Sequence, residues 1–502
     1  MKSKIIDIAE FKKIKNKLVN KKIVLCHGVF DVLHYGHIKY FNSAKSNGDI
    51  LIVSITSDQF VKKGLNRPYF SQQIRAKTLS SLSIVNYVII NNFENAKPII
   101  QLIKPDLYVK GPDYKNLVKT DKNLLIEINT TKKNGGKIIF TEDESFSSSN
   151  IINTTFDNLN NEQKNFLRKF KNKFTIRDIN SLIKKLSKLK VLVVGEVIID
   201  EYIFSDTVGK SGKEPILINK KINSEKYAGG SISIANHAAS FTKEVKVLSY
   251  IGQKSEDLKF IKSNLQKNVK FEYVNKIKSR TILKTRIVDN YTKNKIIGIY
   301  DLNEENLSES DEKKFINKIN KNINNYDLVI VIDYGHGLLT KNVIKNLKNK
   351  SKFLAVNAQL NSLNISSHSF SKYNKSDYIA LHEGELRNEF RDQEINLDNL
   401  IKKFKKFRNI KNLVVTRGKK GAYGNLLNKK IICPAFSEKV IDRIGAGDTF
   451  LSISSLLLYL KAPVEIILLL SNLSASQTIS NMGTNKPVSK NVLIKSLEYL
   501  IK

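Results

Sequence analysis

The 502-residue sequence predicts an α/β protein in two units, each a largely parallel sheet covered by helices. Three observations carry this. Short apolar runs alternate with helical stretches from Lys21 to about residue 155, a second and longer series of the same kind begins at Val191, and the length exceeds what one small core organises. The boundaries that follow are a domain over 1–155, a helical linker over 156–187 and a larger doubly wound domain over 188–502.

Taken in order, the first eighteen residues place apolar side chains at 5, 6, 9, 11, 14 and 18 among lysines, which predicts an amphipathic helix and not a signal peptide. Five strands are expected at IVLCHG, ILIVSITS, VNYVIIN, LYVKG and GKIIFT. The Lys/Asn-rich stretch 156–187 has helical spacing. In the second series, EYIFSDTVGKSGKEPILINKKI (201–222) alternates polar and apolar residues and reads as a β-flap able to serve as a lid or a dimer surface. The most apolar region, 451–475, is interrupted by Lys461, Pro463 and Glu465 and so predicts two buried helices instead of a membrane span.

A hydrophobic fraction of 41% and a charged fraction of 26% are those of a globular chain. The formal charge of +37 is spread over the whole length among Asn and Ile residues, as solvated helix faces would spread it, so neither a nucleic acid nor a membrane is expected as partner. Two cysteines, Cys26 and Cys433, exclude a disulfide framework and a Cys-rich zinc site, and a reducing cytoplasmic location is expected.

Two segments carry chemistry. In CHGVFDVLHYGHIKY (26–40) a strand breaks at a glycine turn and enters a helix, placing His34 and His37 three residues apart on its first turn, where imidazoles and the helix N-terminus can both face phosphate. In IDRIGAGDTF (441–450) Gly445, Ala446 and Gly447 present backbone N–H groups beside Asp448, which pairs an anion nest with a carboxylate able to take a proton.

With its neighbours, the first segment resembles the nucleotidyltransferase superfamily that includes cytidylyltransferases and the adenylyltransferase domain of the bifunctional heptose enzyme. The further matches are VKKGLNRPYF, QQIRAKTL, IKPDLYVKGPDY and FSSSNIIN, about 130 residues in register of order. The resemblance implies a Rossmann-like nucleotidyltransferase domain. It makes His34 and His37 the triphosphate binders, Gly28 and Phe30 part of the turn under the nucleotide, and Lys63 a phosphate contact. Lys110, Gly111 and Asp113 would line the pocket, Arg75 would belong to the substrate side, and Ser147, Ser148 and Ser149 would open a last helix toward phosphate. The implied reaction releases pyrophosphate from ATP or CTP with Mg²⁺ present.

Residues 190–490 resemble the ribokinase-like carbohydrate kinases through VLVVGEVIIDEY, YAGGSISIANHAAS, DYGHGLLT, VVTRGKKGA and DRIGAGDTF. That likeness implies Asp448 as base and Gly445–Gly447 as anion hole. It places Thr416, Arg417 and Gly418 near the nucleotide, Asn472 and Ser476 near adenine, Asp200, Gly229 and Gly230 near the sugar, and Glu385 at the metal. The chain departs from that family at Glu196, where Asp is usual, at Ser233, where Asn is usual, and at His382, where an Asn-x-x-Glu motif begins. In the heptose enzyme the kinase half comes first; here the order is reversed. The chemistry does not depend on that order: the resemblances together imply a bifunctional enzyme in which a kinase acting on a sugar or sugar phosphate such as heptose 7-phosphate is joined to a nucleotidyltransferase making an NDP-sugar, and the β-flap leads one to expect a homodimer. A CTP-dependent enzyme for another sugar or polyol phosphate, and a non-catalytic kinase-like sensing or dimerisation domain, remain the alternatives at this point.

Overall fold

The computed structural model describes residues 3–61, 67–118, 121–142, 159–360, 364, 368–374, 376–437, 440–483 and 486–501. The chain divides into two compact units, Met1–Leu159 and Asn160–Lys502.

The first unit holds β1 (Ile23–Gly28), β2 (Ile50–Thr56), β3 (Tyr87–Asn91), β4 (Leu107–Lys110) and β5 (Lys137–Phe140). They form a wholly parallel sheet in the order β3-β2-β1-β4-β5. These are the five strands expected from the apolar runs. Alternate residues of β1 feed two different cores: Val24 and Cys26 pack with Phe41, Leu79 and Val109, whereas Ile23 and Leu25 pack with Phe11, Ile99 and Tyr108. The chain winds outward from β1 on one side and returns to start β4 on the other. The crevice at the carboxyl ends of β1 and β4 is therefore the topological switch point, where ligands of such sheets bind. The expected amphipathic helix forms at Ile8–Lys15, capped by Asp7, and buries Phe11.

The second unit begins with helices at Asn161–Lys171 and Ile176–Leu186. Both lie in the segment expected as a linker, yet they belong to this unit. Leu167, Phe170, Ile179, Ile183 and Leu186 are buried, Gln163 donates to the Ala435 carbonyl (2.6 Å), and Lys173 pairs with Glu465 (3.0 Å). Their apolar stripes need a partner, and the sheet domain supplies it.

The main sheet has nine strands, drawn from β6 (Lys190–Gly195), β9 (Glu244–Ile251), β10 (Val269–Asn275), β13 (Leu328–Asp333), β14 (Leu354–Ala358), β15 (Tyr378–His382), β16 (Asn412–Thr416), β17 (Ala422–Leu426) and β18 (Lys429–Cys433). Their order is β10-β9-β6-β13-β14-β15-β16-β17-β18, parallel as far as β16 and antiparallel beyond it. Central strands such as β13, LVIVID, are buried throughout because helices cover both faces.

A separate four-stranded sheet, β12-β11-β7-β8, is built from β7 (Val197–Lys210), β8 (Leu217–Gly230), β11 (Ile282–Asp289) and β12 (Lys295–Asp301). The expected flap is the outer part of the β7–β8 hairpin, and the sheet is larger than the sequence pattern suggested because β11 and β12 join it. Its strands leave Val208, Leu217, Ile218, Ile222, Ile297 and Ile299 exposed. The apolar region 451–475 is indeed two helices, Ala446–Tyr459 and Val464–Ile479, both largely buried. Among the described residues no helix is long and apolar enough to cross a membrane.

Two candidate active sites

In the first unit β1 ends at Gly28, and the following turn carries positive φ at Phe30 (48°) and Val32 (46°) before the Tyr35–Lys45 helix begins. Gly28 is required by a close approach: a Cβ there would stand 3.0 Å from the Phe30 ring. Phe30 in turn packs edge-on against His37, with centroids 5.5 Å apart. His34 is the helix N-cap and His37 its third residue. The two rings stack at 3.9 Å, and the His34 backbone N–H donates to His37 Nδ1 (3.4 Å). Burial lowers the His34 pKa from its ordinary value. Both imidazoles thus stand at the positive end of one helix beside the switch point.

Asp31, which the sequence reading left without a role, organises this turn. Its carboxylate accepts from the backbone N–H groups of Tyr69 (2.7 Å) and Phe70 (3.0 Å) and pairs with Arg67 (3.2 Å). Arg75, expected on the substrate side, is 2% exposed, and its guanidinium donates to Phe70 O, Thr56 O, Val29 O and Asp58, which ties the turn to β2. Lys110 differs in a similar way. Its ammonium is buried, pairs with Glu127 (2.9 Å) and lies over the Tyr114 ring, because a charge placed at the end of a buried strand requires a counter-ion. Glu127 also accepts from the Tyr108 hydroxyl (2.9 Å). Gly111 has open space where a Cβ would stand, and Asp113 is exposed in the next turn. His27, also unassigned from sequence, lies between Ser54 (3.1 Å) and Thr56 (3.4 Å), and burial pushes its pKa down to about 4. Lys63, Ser147, Ser148 and Ser149 lie outside the described residues.

In the second unit the candidate residues gather at the carboxyl ends of β6, β13, β15 and β16 and at the start of the Ala446–Tyr459 helix. Gly445 is the N-cap with φ 81°, a left-handed conformation that suits glycine, and it turns the N–H groups of Ala446 and Gly447 outward beside Asp448. The Tyr334 hydroxyl donates to Asp448 Oδ2 (3.1 Å). Burial pushes the Asp448 pKa up to about 6; Asp200 adds to the rise, while Tyr334 and Lys284 oppose it. Behind the helix, Thr449 bonds to His237 (3.1 Å) and Thr478 (2.8 Å), a buried polar chain that fixes the first turn.

Asp200 on β7 is held by Arg286 of β11 (2.5 Å). Gly229 allows that carboxylate its place, since a Cβ would meet Asp200 Oδ2 at 2.3 Å, and Gly230 turns with φ 59° against the Glu196 carbonyl. Glu196, one of the departures noted above, is wholly buried and accepts from the backbone N–H groups of Tyr334 (3.0 Å) and His336 (3.2 Å). Burial, then Asp333, push its pKa up to about 7. It therefore shapes the turn that delivers Tyr334. Ser233, the second departure, bonds to His237 (3.2 Å).

Glu385 caps the Glu383–Phe390 helix, accepting from His382 N (2.7 Å) and Leu360 N (3.3 Å); burial, with the Asp448 charge opposing ionisation further, pushes its pKa up to about 7. Thr416 neighbours His382 across β15–β16, Gly418 has φ 56° with open space around it, and Arg417 pairs with Glu383 (2.9 Å) instead of standing free. Asn472 makes long contacts to the Cys433 and Pro434 carbonyls (3.5 and 3.4 Å), and Ser476 is buried on the same helix.

Asp442, just before the anion nest, was missed by the sequence reading. It receives Tyr202 of β7 (2.6 Å) and Lys295 of β12 (2.5 Å), so two lid strands are anchored to the loop that carries Gly445–Gly447. Its motif position was visible; its partners, which come from distant strands, were not.

Comparison with known proteins assigns both halves. Residues 188–491 match the pfkB family carbohydrate kinase model, and residues 25–154 match the cytidylyltransferase-like model. Among curated relatives, the bifunctional protein HldE of Campylobacter jejuni (strain RM1221) is 39% identical over 151 residues, covering 28% of this chain and 31% of that protein. The protein of the same name from Helicobacter pylori (strain P12) is 49% identical over 113 residues, covering 22% and 24%. The matched stretch is thus under a third of those relatives' length. Among solved structures, Escherichia coli phosphofructokinase-2 in complex with potassium aligns over 63% of this chain and 100% of its own, with a TM-score of 0.52 and 16% identity, a likeness of fold. The same enzyme in complex with substrates and products aligns with a TM-score of 0.51 and 15% identity over the same shares. By its larger unit the chain belongs to the pfkB family of carbohydrate kinases, and its smaller unit matches the cytidylyltransferase-like family.

Proposed function

We propose that the second unit phosphorylates a sugar or sugar phosphate with ATP and that the first unit transfers a nucleotidyl group from ATP or CTP to a sugar phosphate, giving an NDP-sugar and pyrophosphate. Heptose 7-phosphate is the leading acceptor, by analogy with the HldE relatives that match the first unit. The observation that carries the kinase reading is Asp448, a half-buried carboxylate hydrogen-bonded by Tyr334 at the first turn of a helix whose N–H groups face outward.

In that reading an acceptor hydroxyl gives its proton to Asp448 while its oxygen attacks the γ-phosphorus of ATP; the bond to the β-phosphate oxygen breaks and ADP leaves. The nest at Gly445–Gly447 receives the charge on the transferred group. Asp200, oriented by Arg286, binds sugar hydroxyls, and Thr416 to Gly418 with Asn472 and Ser476 lie on the nucleotide side. Mg²⁺ is the cation this reading calls for, since phosphoryl transfer from ATP needs its phosphate charge neutralised. Glu385, a carboxylate in the first turn of the helix that follows β15, is the residue that would hold the ion, which would supply neutralisation of phosphate charge.

In the first unit a sugar phosphate oxygen attacks the α-phosphorus of the triphosphate and pyrophosphate departs. His34 and His37 bind the triphosphate and stabilise the leaving group, Lys63 meets the α-phosphate or the substrate phosphate, Ser147 to Ser149 face phosphate, and no protein nucleophile is needed. A sugar 1-phosphate is the chemical link between the halves. The exposed apolar residues of the lid sheet support a homodimer.

The test is to incubate the full chain with Mg²⁺, ATP, CTP, pyrophosphatase and heptose 7-phosphate and to follow products by mass spectrometry. A heptose bisphosphate that disappears in Asp448→Ala is the expected result. Intact ATP and acceptor would refute the heptose assignment, and NDP-sugar formation from sugar 1-phosphate without any kinase turnover would favour a non-catalytic second unit.

A further inference from the structure

Two largely buried basic side chains of the second unit, Lys284 and His336, make no hydrogen bond from their side-chain nitrogens among the described residues. Lys284 of β11 is 7% exposed; its ammonium lies over the rings of Tyr300 and Tyr334, 5.2 and 5.4 Å from their centroids, and the Asp200, Glu196 and Asp448 carboxylates act on it through space without a close ion pair among the described residues. His336, in the turn after β13, is wholly buried, and neither ring nitrogen has a hydrogen-bond partner. Burial, then the Lys284 charge, push the His336 pKa down to about 3, so the ring is neutral and retains one N–H to donate.

The other cations of this region are already committed. Arg286 pairs with Asp200, Lys372 with Asp333, and Lys276 donates to the carbonyls of Asn303 and Glu305. Buried polar groups without partners call for an occupant. An ammonium and an imidazole N–H side by side are both donors, so what they lack is a group rich in acceptor oxygens and negatively charged. Their placement says which one. Lys284 stands in register with Asp200 on the lid sheet, and the Tyr334 ring it covers belongs to the residue bonded to Asp448. That is the acceptor side of Asp448; the transferred phosphoryl has its own donors at Gly445–Gly447.

We propose that Lys284 and His336 are the residues that recognise an acceptor already carrying phosphate, and so set the preference of the second unit for a sugar phosphate over a neutral sugar. The inference rests on the kinase reading of that unit. A neutral sugar leaves both donors unpaired in the closed site, which is a penalty the phosphorylated acceptor avoids.

The experiment compares heptose 7-phosphate with unphosphorylated heptose in the full chain, using calorimetric binding without ATP and steady-state ADP release. The variants are Lys284→Met, Lys284→Arg and His336→Leu. The parent is expected to favour the phosphorylated acceptor by about 10- to 100-fold in kcat/KM, as charge-assisted hydrogen bonds allow. Lys284→Met should collapse that ratio chiefly through KM, Lys284→Arg should restore part of it, and His336→Leu should reduce it. Because an unpaired buried ammonium destabilises the ligand-free fold, Lys284→Met should also raise Tm. An equal fall in kcat for both acceptors would place Lys284 on the transferred phosphoryl and overturn the proposal, as would equal binding of the two sugars by the parent. If no acceptor yields ADP but phosphate-dependent binding is present and lost in Lys284→Met, the kinase reading fails and the recognition site stands.

Discussion

Replacing Tyr334 by Phe removes the hydrogen bond that its hydroxyl gives the proposed base. Burial holds the Asp448 pKa near 6, and the Tyr334 hydroxyl, 3.1 Å from Oδ2, is the first influence keeping it from rising further. A hydrogen bond to a charged acceptor contributes about 1.5–3 kcal/mol, which corresponds to about one to two pKa units at 1.36 kcal/mol per unit. A base works in its ionised form, so activity is lost as pH falls through this pKa. The parent should lose kinase activity below about pH 6, and Tyr334→Phe should move that acid limb upward by about one to two pH units. At pH 7 the ionised fraction would drop from about nine-tenths to between about one-half and one-tenth, and the lost rate should return by about pH 9. The assay is ADP release over a series of acceptor concentrations from about pH 5 to 9.5, read as kcat/KM. An unmoved acid limb, with a rate reduced equally at every pH, would refute the claim that Tyr334 sets the ionisation of Asp448.

Further outcomes follow from other contacts. His37→Ala should lower nucleotidyl transfer by about a hundredfold or more while ADP formation by the kinase half persists, measured as pyrophosphate and ADP release from the same preparation. Lys110→Met leaves Glu127 buried without its cation and should destabilise the first unit by about 3–5 kcal/mol in denaturant titrations, with Glu127→Gln in the same chain recovering much of the loss. Despite burial, Lys110 holds the Glu127 pKa below its ordinary value, so this contribution is present at neutral pH and lost as pH falls through the folded pKa; an acid titration of unfolding that is flat below pH 5 would contradict it. Gly229→Ala places a Cβ 2.3 Å from Asp200 Oδ2 and should raise the acceptor KM with only a small change in Tm.

The architecture was legible because its signals are local. Each of the five strands of the first unit is an apolar run bounded by turn residues, and β1 alone shows why: its alternate side chains must satisfy two cores, so all but its end is apolar. The helix starts at His34 and Gly445 were legible for the same reason, since a cap, a glycine and the residue that follows sit within one turn of chain. The two linker helices were misplaced because their stripes announce a buried face without saying which domain buries it.

What the sequence hid is long-range pairing, and at both sites such pairing decides what a charged residue can do. Arg75 and Lys110 look like phosphate ligands in a motif, yet Asp58 and Glu127 occupy them from other elements. Lys284 looks like one more lysine in a lysine-rich chain, yet it is buried, with no close ion pair among the described residues. The same logic explains the departures at Glu196 and Ser233. Glu196 spends both carboxylate oxygens on the backbone N–H groups of Tyr334 and His336, which positions the tyrosine that reaches Asp448. Ser233 contacts His237, whose ring meets Thr449 one residue beyond Asp448. Both residues therefore lie within networks that lead to the proposed base.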